Sequence, residues 1–164
     1  MLSLGIDPGT AIVGYGLVQE SEDGSYQALA YGVIRTPPHE SMPERLASIY
    51  EALRSLIAQY RPDRAAIEEM FFGRNVTTAI TVAQGRGVIL LALQQASLPI
   101  YQYKPSVVKQ SITGYGGAEK NQMQEMVRLL LNLASIPQPD DAADALAIAL
   151  TDLQSRHFEG YDIV

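Results

Sequence analysis

Four carboxylates lie along the chain where a divalent-metal nuclease needs them: Asp7 after Leu2-Ser3-Leu4-Gly5-Ile6, Glu68 after Arg64-Ala65-Ala66-Ile67, and Asp141 with Asp144 at the start of a late helix. Oxygen-only acids suit a hard divalent cation, and their arrangement suggests phosphodiester hydrolysis rather than a passive fold. A carboxylate ending a buried apolar strand is costly to desolvate unless a cation or hydrogen bonds compensate it. Each acid also has a plainer use. Asp7 before Pro8-Gly9 fits a turn, and acids opening a helix cap free N–H groups and favour the positive end of its dipole. Glu68 interrupts a strand-like stretch in which glutamate has poor propensity. Its neighbour Glu69 points to the opposite face of a strand, so the pattern leaves open which of the two turns inward. The conjunction of four acids carries the catalytic reading.

The elements that must position them follow from patterning. Leu2 to Ile6 reads as a buried strand, Pro8-Gly9-Thr10 as a sharp turn, and Ala11 to Val18 as a returning strand, which makes a hairpin with Asp7 at its rim. Glu20 to Ser25 is a polar turn and Tyr26 to Thr36 a third strand, ended by Pro37-Pro38. Ser41-Met42-Pro43-Glu44 has capping-box spacing, and Leu46, Ile49, Tyr50, Leu53, Ile57 and Tyr60 recur at helical intervals. The Glu68 strand follows, then a helix over 76–95, a strand over 99–103, a short helix over 105–112, a flexible loop Gly114-Tyr115-Gly116-Gly117, a helix over 118–133, and the Asp141 helix with acidic N-cap and first-turn residues. A spacing of three puts Asp141 and Asp144 on one face. The 76–95 helix has more apolar positions than one core-facing stripe uses; a helix fully buried in one large core would give the same pattern, but in a domain this small a second face against a symmetric partner is the expectation. Gly85 and Gly87 weaken that helix by about 1 kcal/mol each, a cost that close helix packing would justify.

Composition sets the outer limits. At 164 residues and 47% hydrophobic content, the chain suits a single domain over 1–164, with 156–164 expected to fray. It has no cysteine, which removes disulfides and thiolate metal sites. The longest wholly apolar stretch, Val88 to Leu93, is far too short to span a bilayer, so the expected location is the cytoplasm. The net charge of −6 argues against nucleic acid until its distribution is read. Between Arg74 and Arg128 six basic residues face two acidic ones, a local balance of +4 against −10 elsewhere. Four of the negative charges are the proposed site, which two divalent ions would offset.

The order of these features resembles the ribonuclease H-like fold, an α/β architecture with a mixed five-stranded sheet flanked by helices. More closely, the chain resembles bacterial Holliday-junction resolvases of the RuvC family. The matching motifs are Gly5-Ile6-Asp7-Pro8-Gly9-Thr10 with Gly14-Tyr15-Gly16, Ala66-Ile67-Glu68 with Phe71, Gln84-Gly85-Arg86-Gly87, Val108-Lys109-Gln110, Ala118-Glu119-Lys120, and Asp141-Ala142-Ala143-Asp144-Ala145-Leu146-Ala147. The resemblance implies that Asp7, Glu68, Asp141 and Asp144 hold two Mg²⁺ ions, with Mn²⁺ able to substitute. It also implies that Lys109 and Lys120 act in catalysis and on DNA, and that Phe71 and Arg74 contact DNA, with one of Phe71 and Phe72 serving the core. A homodimer through Val76–Gln95 would make paired symmetric nicks in a four-way DNA junction, leaving 5′-phosphate and 3′-hydroxyl ends, and would work with the RuvA and RuvB branch-migration proteins.

Two positions depart from the family pattern: Glu69 stands where the family usually carries glutamine, and Gly85 where it usually carries alanine. Rival classes remain. An RNA-directed nuclease of the same fold would share the Asp7 turn, and a sugar-kinase or actin-like phosphotransferase would explain Asp7-Pro8-Gly9-Thr10 but needs two such domains. A silent junction-binding module gains nothing from four carboxylates beside phosphate.

Overall fold

Strand β1 (Leu2–Asp7) pairs antiparallel with β2 (Ile12–Glu20), which pairs antiparallel with β3 (Tyr26–Arg35). On its other edge β1 takes β4 (Arg64–Glu68) in parallel, and β4 takes β5 (Ile100–Tyr103) in parallel. The result is a mixed five-stranded sheet in the order β3-β2-β1-β4-β5, seen in a computed structural model that describes residues 1–69 and 76–156. The parallel pairs require crossovers. Helix α1 (Met42–Tyr60) connects β3 to β4, and α2 (Val76–Gln95) lies between β4 and β5. The rest is helical: α3 (Pro105–Thr113), α4 (Lys120–Leu130) and α5 (Asp140–Ser155).

Side-chain alternation divides the core into two layers. Leu4, Ile6, Val13, Leu17, Ala65 and Ile67 pack with Ile49 and Leu53 of α1 and Ile89 and Leu93 of α2. On the opposite face Ala66 and Tyr103 meet α5, with α3 and α4 beside it. Helix α5 approaches the sheet on glycine. A Cβ on Gly5 would lie 2.1 Å from the Ala145 carbonyl oxygen, on Gly14 2.0 Å from that of Asp141, and on Gly16 2.8 Å from the Leu146 nitrogen. Glycine inside a strand marks such a close approach, and here it lets a helix backbone rest directly on β1 and β2.

The register of α5 is pinned at its far end. Asp152, fully buried, accepts from Ser3 Oγ (2.6 Å), Arg64 Nε and Nη2 (2.7 Å each) and Tyr103 OH (2.9 Å), so one carboxylate ties β1, β4 and β5 to the helix. The Arg64 guanidinium also lies 3.9 Å over the Tyr101 ring. Truncating one partner of a buried ion pair leaves the other uncompensated. Asp152→Ala is therefore expected to destabilise the protein by about 3–5 kcal/mol, read as a shift in the urea midpoint. A loss below 1 kcal/mol would mean that the network is dispensable.

Several boundaries move from the sequence reading. Strand β2 runs on to Glu20, because its backbone pairs with Tyr26 of β3, which shortens the polar turn. Helix α4 occupies 120–130 rather than 118–133: Glu119 and Gln122 form a capping box at its start, and Asn132 turns left-handed just past its end. The Gly114–Gly117 connection, read as flexible, is a tied turn in which Gln110 Nε2 donates to Gly114 O (2.8 Å) and the Tyr115 N–H to Thr113 Oγ1 (3.2 Å). Arg156 is not frayed, since its guanidinium pairs with Glu20. Residues 157–164 lie outside the described ones. No described helix is long and apolar enough to cross a membrane.

Candidate active site

Parallel pairing of Ile6 with Ile67 brings the C-terminal ends of β1 and β4 side by side, so Asp7 and Glu68 finish adjacent interior strands at one end of the sheet. Both side chains belong to the face that α5 covers. There Gly14, the strand partner of Asp7, admits the backbone of Asp141, and Asp144 follows one helical turn later. All four acids of the sequence reading are brought together. Neither Asp141 nor Asp144 caps the helix, although Asp140 and Asp141 stand in its first turn, at the positive end of its dipole. Pro139 occupies the N-cap, and no side chain makes a cap hydrogen bond there.

The electrostatics are those of crowded acids. Burial first, then the charges of Glu68, Asp144 and Asp141, push the Asp7 carboxyl up to about 8, with Lys120 acting against them. Glu68 is raised by burial and by Asp144, and Lys109 lowers it. Asp144 is raised chiefly by burial and held back by Lys120. Among the described residues no three acids or histidines stand close enough together to hold a metal ion as they are placed. An all-oxygen donor set in which burial and neighbouring acids raise Asp7, Glu68 and Asp144 fits a hard divalent cation, because a positive charge at their centre would relieve both burial and repulsion.

Both lysines of the sequence reading are at the site. Lys109 from α3 and Lys120 from α4 line one cavity of about 220 Å³ with Glu68 and Asp144, above Met123, Ala147 and Ile148. Lys120 Nζ lies 2.9 Å from Asp140 Oδ2 and 3.7 Å from Asp144 Oδ2, and these acids hold its pKa above the usual lysine value. Sequence reasoning missed the role of Asp140, which also accepts from Gln124 Nε2 (2.9 Å) and so fixes the ammonium beside the acids. It also left Glu68 and Glu69 unresolved. Glu68 faces the acids, while Glu69 faces Arg86 of α2, whose guanidinium its charge supports against burial. Phe71, Phe72 and Arg74 lie outside the described residues.

The Gly85 expectation is corrected. A Cβ there would lie 2.6 Å from the Gly9 carbonyl oxygen and 2.9 Å from Thr10 Cγ2, so Gly85 seats α2 against the Asp7 turn of its own chain. Gly87 has open space in front of it.

Comparison with known proteins agrees with this geometry. The family model for crossover junction endodeoxyribonuclease RuvC matches residues 3–152. Proteins named crossover junction endodeoxyribonuclease RuvC from Heliobacterium modesticaldum and Chloroflexus aggregans are 59% and 58% identical over 150 residues, covering 92% of this chain and 92% and 91% of theirs. The structure of T. thermophilus RuvC in complex with Holliday junction substrate superposes with a TM-score of 0.91 at 33% identity, with all of both chains covered. The fold is accordingly ribonuclease H-like, and the chain belongs to the RuvC family of crossover junction endodeoxyribonucleases.

Proposed function

We propose that this chain resolves four-way DNA junctions as a homodimer, each protomer cutting one strand by metal-dependent hydrolysis at Asp7, Glu68, Asp141 and Asp144. The observation that carries the reading is the meeting of these four acids with Lys109 and Lys120 at the C-terminal ends of β1 and β4. Two divalent ions bound there, Mg²⁺ or Mn²⁺, would supply an activated water and charge neutralisation at the leaving oxygen. The water oxygen bonds to phosphorus, the bond to the 3′ oxygen breaks, and the products are a 5′ phosphate and a 3′ hydroxyl.

The chain's own groups prepare this step. Burial and the neighbouring acids push the Asp7 carboxyl up to about 8, and a cation bound there would favour its carboxylate form. Glu68 and Asp144 face it across the site. Lys109 offers its ammonium beside Glu68, and Lys120, oriented by Asp140, keeps donors for a phosphate oxygen because its side chain is half exposed. Phe71 and Arg74 extend the DNA contacts by family resemblance, which also supports cooperation with RuvA and RuvB.

The dimer reading rests on α2. Its outward stripe is Ile80, Ala83, Gly87 and Leu91, with Ile80 55% and Leu91 51% exposed. Large apolar groups flank small ones along one face, a shape that admits a second helix closely. Leu91→Glu should weaken self-association by roughly 3 kcal/mol or more, because two-fold symmetry presents the change twice. Analytical ultracentrifugation reads the shift, and an unchanged dimer would place the interface elsewhere.

The functional test is a labelled synthetic junction with Mg²⁺ or Mn²⁺ beside a matched duplex, single strand and RNA hairpin. Paired symmetric nicks confined to the junction are expected. Binding without cutting would indicate a silent module, and preferential cutting of RNA would move the chain to another nuclease branch of the fold.

A further inference from the structure

Tyr115 is 67% exposed, yet its position is determined closely. It sits between α3, which carries Lys109, and α4, which opens with Lys120. Gly114 ends α3 in the left-handed conformation, with φ 76°. The Tyr115 N–H donates to Thr113 Oγ1, and its carbonyl accepts from the Ala118 N–H (3.2 Å). The ring lies against Gly117, where a Cβ would fall 2.8 Å from Cζ. The glycine thus makes a seat for the ring instead of merely loosening the loop.

One side of Tyr115 walls a groove of about 550 Å³ with Ala118 and Met126 on its apolar surface, the Asn121 amide at its edge, and Gln122 beside it with its side-chain oxygen engaged by the Glu119 N–H (3.0 Å). Glu125, at the same groove, is neutralised by Arg128 (2.6 Å). Groove and cavity take opposite faces of the first turn of α4, with Lys120 and Met123 lining the cavity and Asn121 and Gln122 the groove, and they are linked along α3, where Lys109 of the cavity stands one turn before Thr113 of the groove. An aromatic wall beside phosphate-binding ammonium groups is how proteins hold an unstacked base, because every base has a π-face and the backbone phosphate is anchored alongside. An amide at the edge adds a donor and an acceptor for base edges.

We propose that Tyr115 and its groove form a nucleobase-contact site that takes an unstacked base of the junction strand next to the phosphate held by Lys109 and Lys120. The proposal rests on the junction-cutting reading above. It assigns this chain a second aromatic contact, on the α3–α4 side of the site, and makes that contact a determinant of where the strand is cut.

The test uses the full chain, with Ca²⁺ in place of Mg²⁺ for binding and Mg²⁺ for cleavage. Junctions carry 2-aminopurine at successive positions around the cut. Tyr115→Ala is expected to weaken junction binding about ten-fold, to abolish a position-specific change in 2-aminopurine emission, and to flatten the preference among cutting sequences. Tyr115→Phe and Tyr115→Trp should keep all three, because they keep the ring. Because the ring is exposed, Tyr115→Ala is expected to fold as the wild type does, and an unchanged melting curve checks this. Wild-type binding with an unaffected Tyr115→Ala variant would overturn the base site and leave the resolvase reading standing. Equal losses in Tyr115→Phe and Tyr115→Ala would also overturn it, because the hydroxyl, not the ring, would then be the contact. Failure of the wild-type chain to bind junctions at all would remove the functional reading and the base site with it.

Discussion

Asp7→Asn should abolish junction cleavage while making the metal-free protein more stable at pH 8. The two effects share one cause. Asp7 stands on a buried strand end facing three other acids, and its carboxyl is pushed from 3.8 up to about 8. A folded-state pKa above the unfolded value means that proton binding favours the fold. The stability it contributes is full below 3.8, drains as pH rises, and is lost above about 8. In EDTA the melting temperature of the wild type should therefore include a falling component across that window, which asparagine removes. Added Mg²⁺ should raise the wild-type melting temperature most at the alkaline end, and the variant's much less. Cleavage should fall by at least about 10²–10³-fold, the loss typical when one preorganised group acting on transition-state charge is removed. Junction binding should persist, because the lysines are untouched. Near-normal cutting by the variant, or a lower melting temperature than wild type at pH 8 in EDTA, would overturn the assignment.

Gly14→Ala should cost about 10²-fold in cleavage although the substituted residue touches no substrate. The added Cβ would meet the Asp141 carbonyl oxygen at 2.0 Å. An ordinary contact between carbon and oxygen needs about 3.3 Å, so something must move by more than about 1 Å. Strand β2 cannot retreat, being paired on both edges with β1 and β3. The start of α5 must shift, carrying Asp141 and Asp144 away from Asp7 and Glu68. Misplacement of about 1 Å is enough for a loss of this size. Single-turnover cleavage under saturating enzyme would isolate the effect, with junction affinity expected within a few-fold of wild type. Gly87→Ala, on the outward stripe of α2, meets nothing described within 4 Å and serves only as a stability comparison: the monomer should hold or gain stability, whatever the change does to self-association. Full activity in Gly14→Ala would show that the helix position is not what aligns the acids.

Much of the fold was legible because its local signals agree. The hairpin, the capping box at Ser41, the proline opening α3 and the run of helix formers in α5 each specify one conformation over a short span. The acids were legible as a set because each sits at an element boundary, where a carboxylate serves little in packing. Asp140 was not, since its value depends on a lysine and a glutamine from another helix. The Asp152 network was equally hidden, joining Ser3, Arg64 and Tyr103 from three strands. The alternating glycines at 5, 14 and 16 were a usable signal of close approach, and they were recognised only as motif letters.

Residue types and their order along the chain determined the chemistry available: four hard oxygen donors, two lysines and an apolar helix with surplus surface. Those choices are local, set by side-chain pKa, strand alternation and helix period. Only the tertiary structure decided that Glu68 and not Glu69 faces Asp7, that Gly85 serves the chain's own turn, and that Lys120 is held by Asp140. Each of these depends on which strands are neighbours and how far α5 sinks onto them. That in turn depends on long-range pairing and on backbone contact at glycine, for which no local pattern in the chain carries a code.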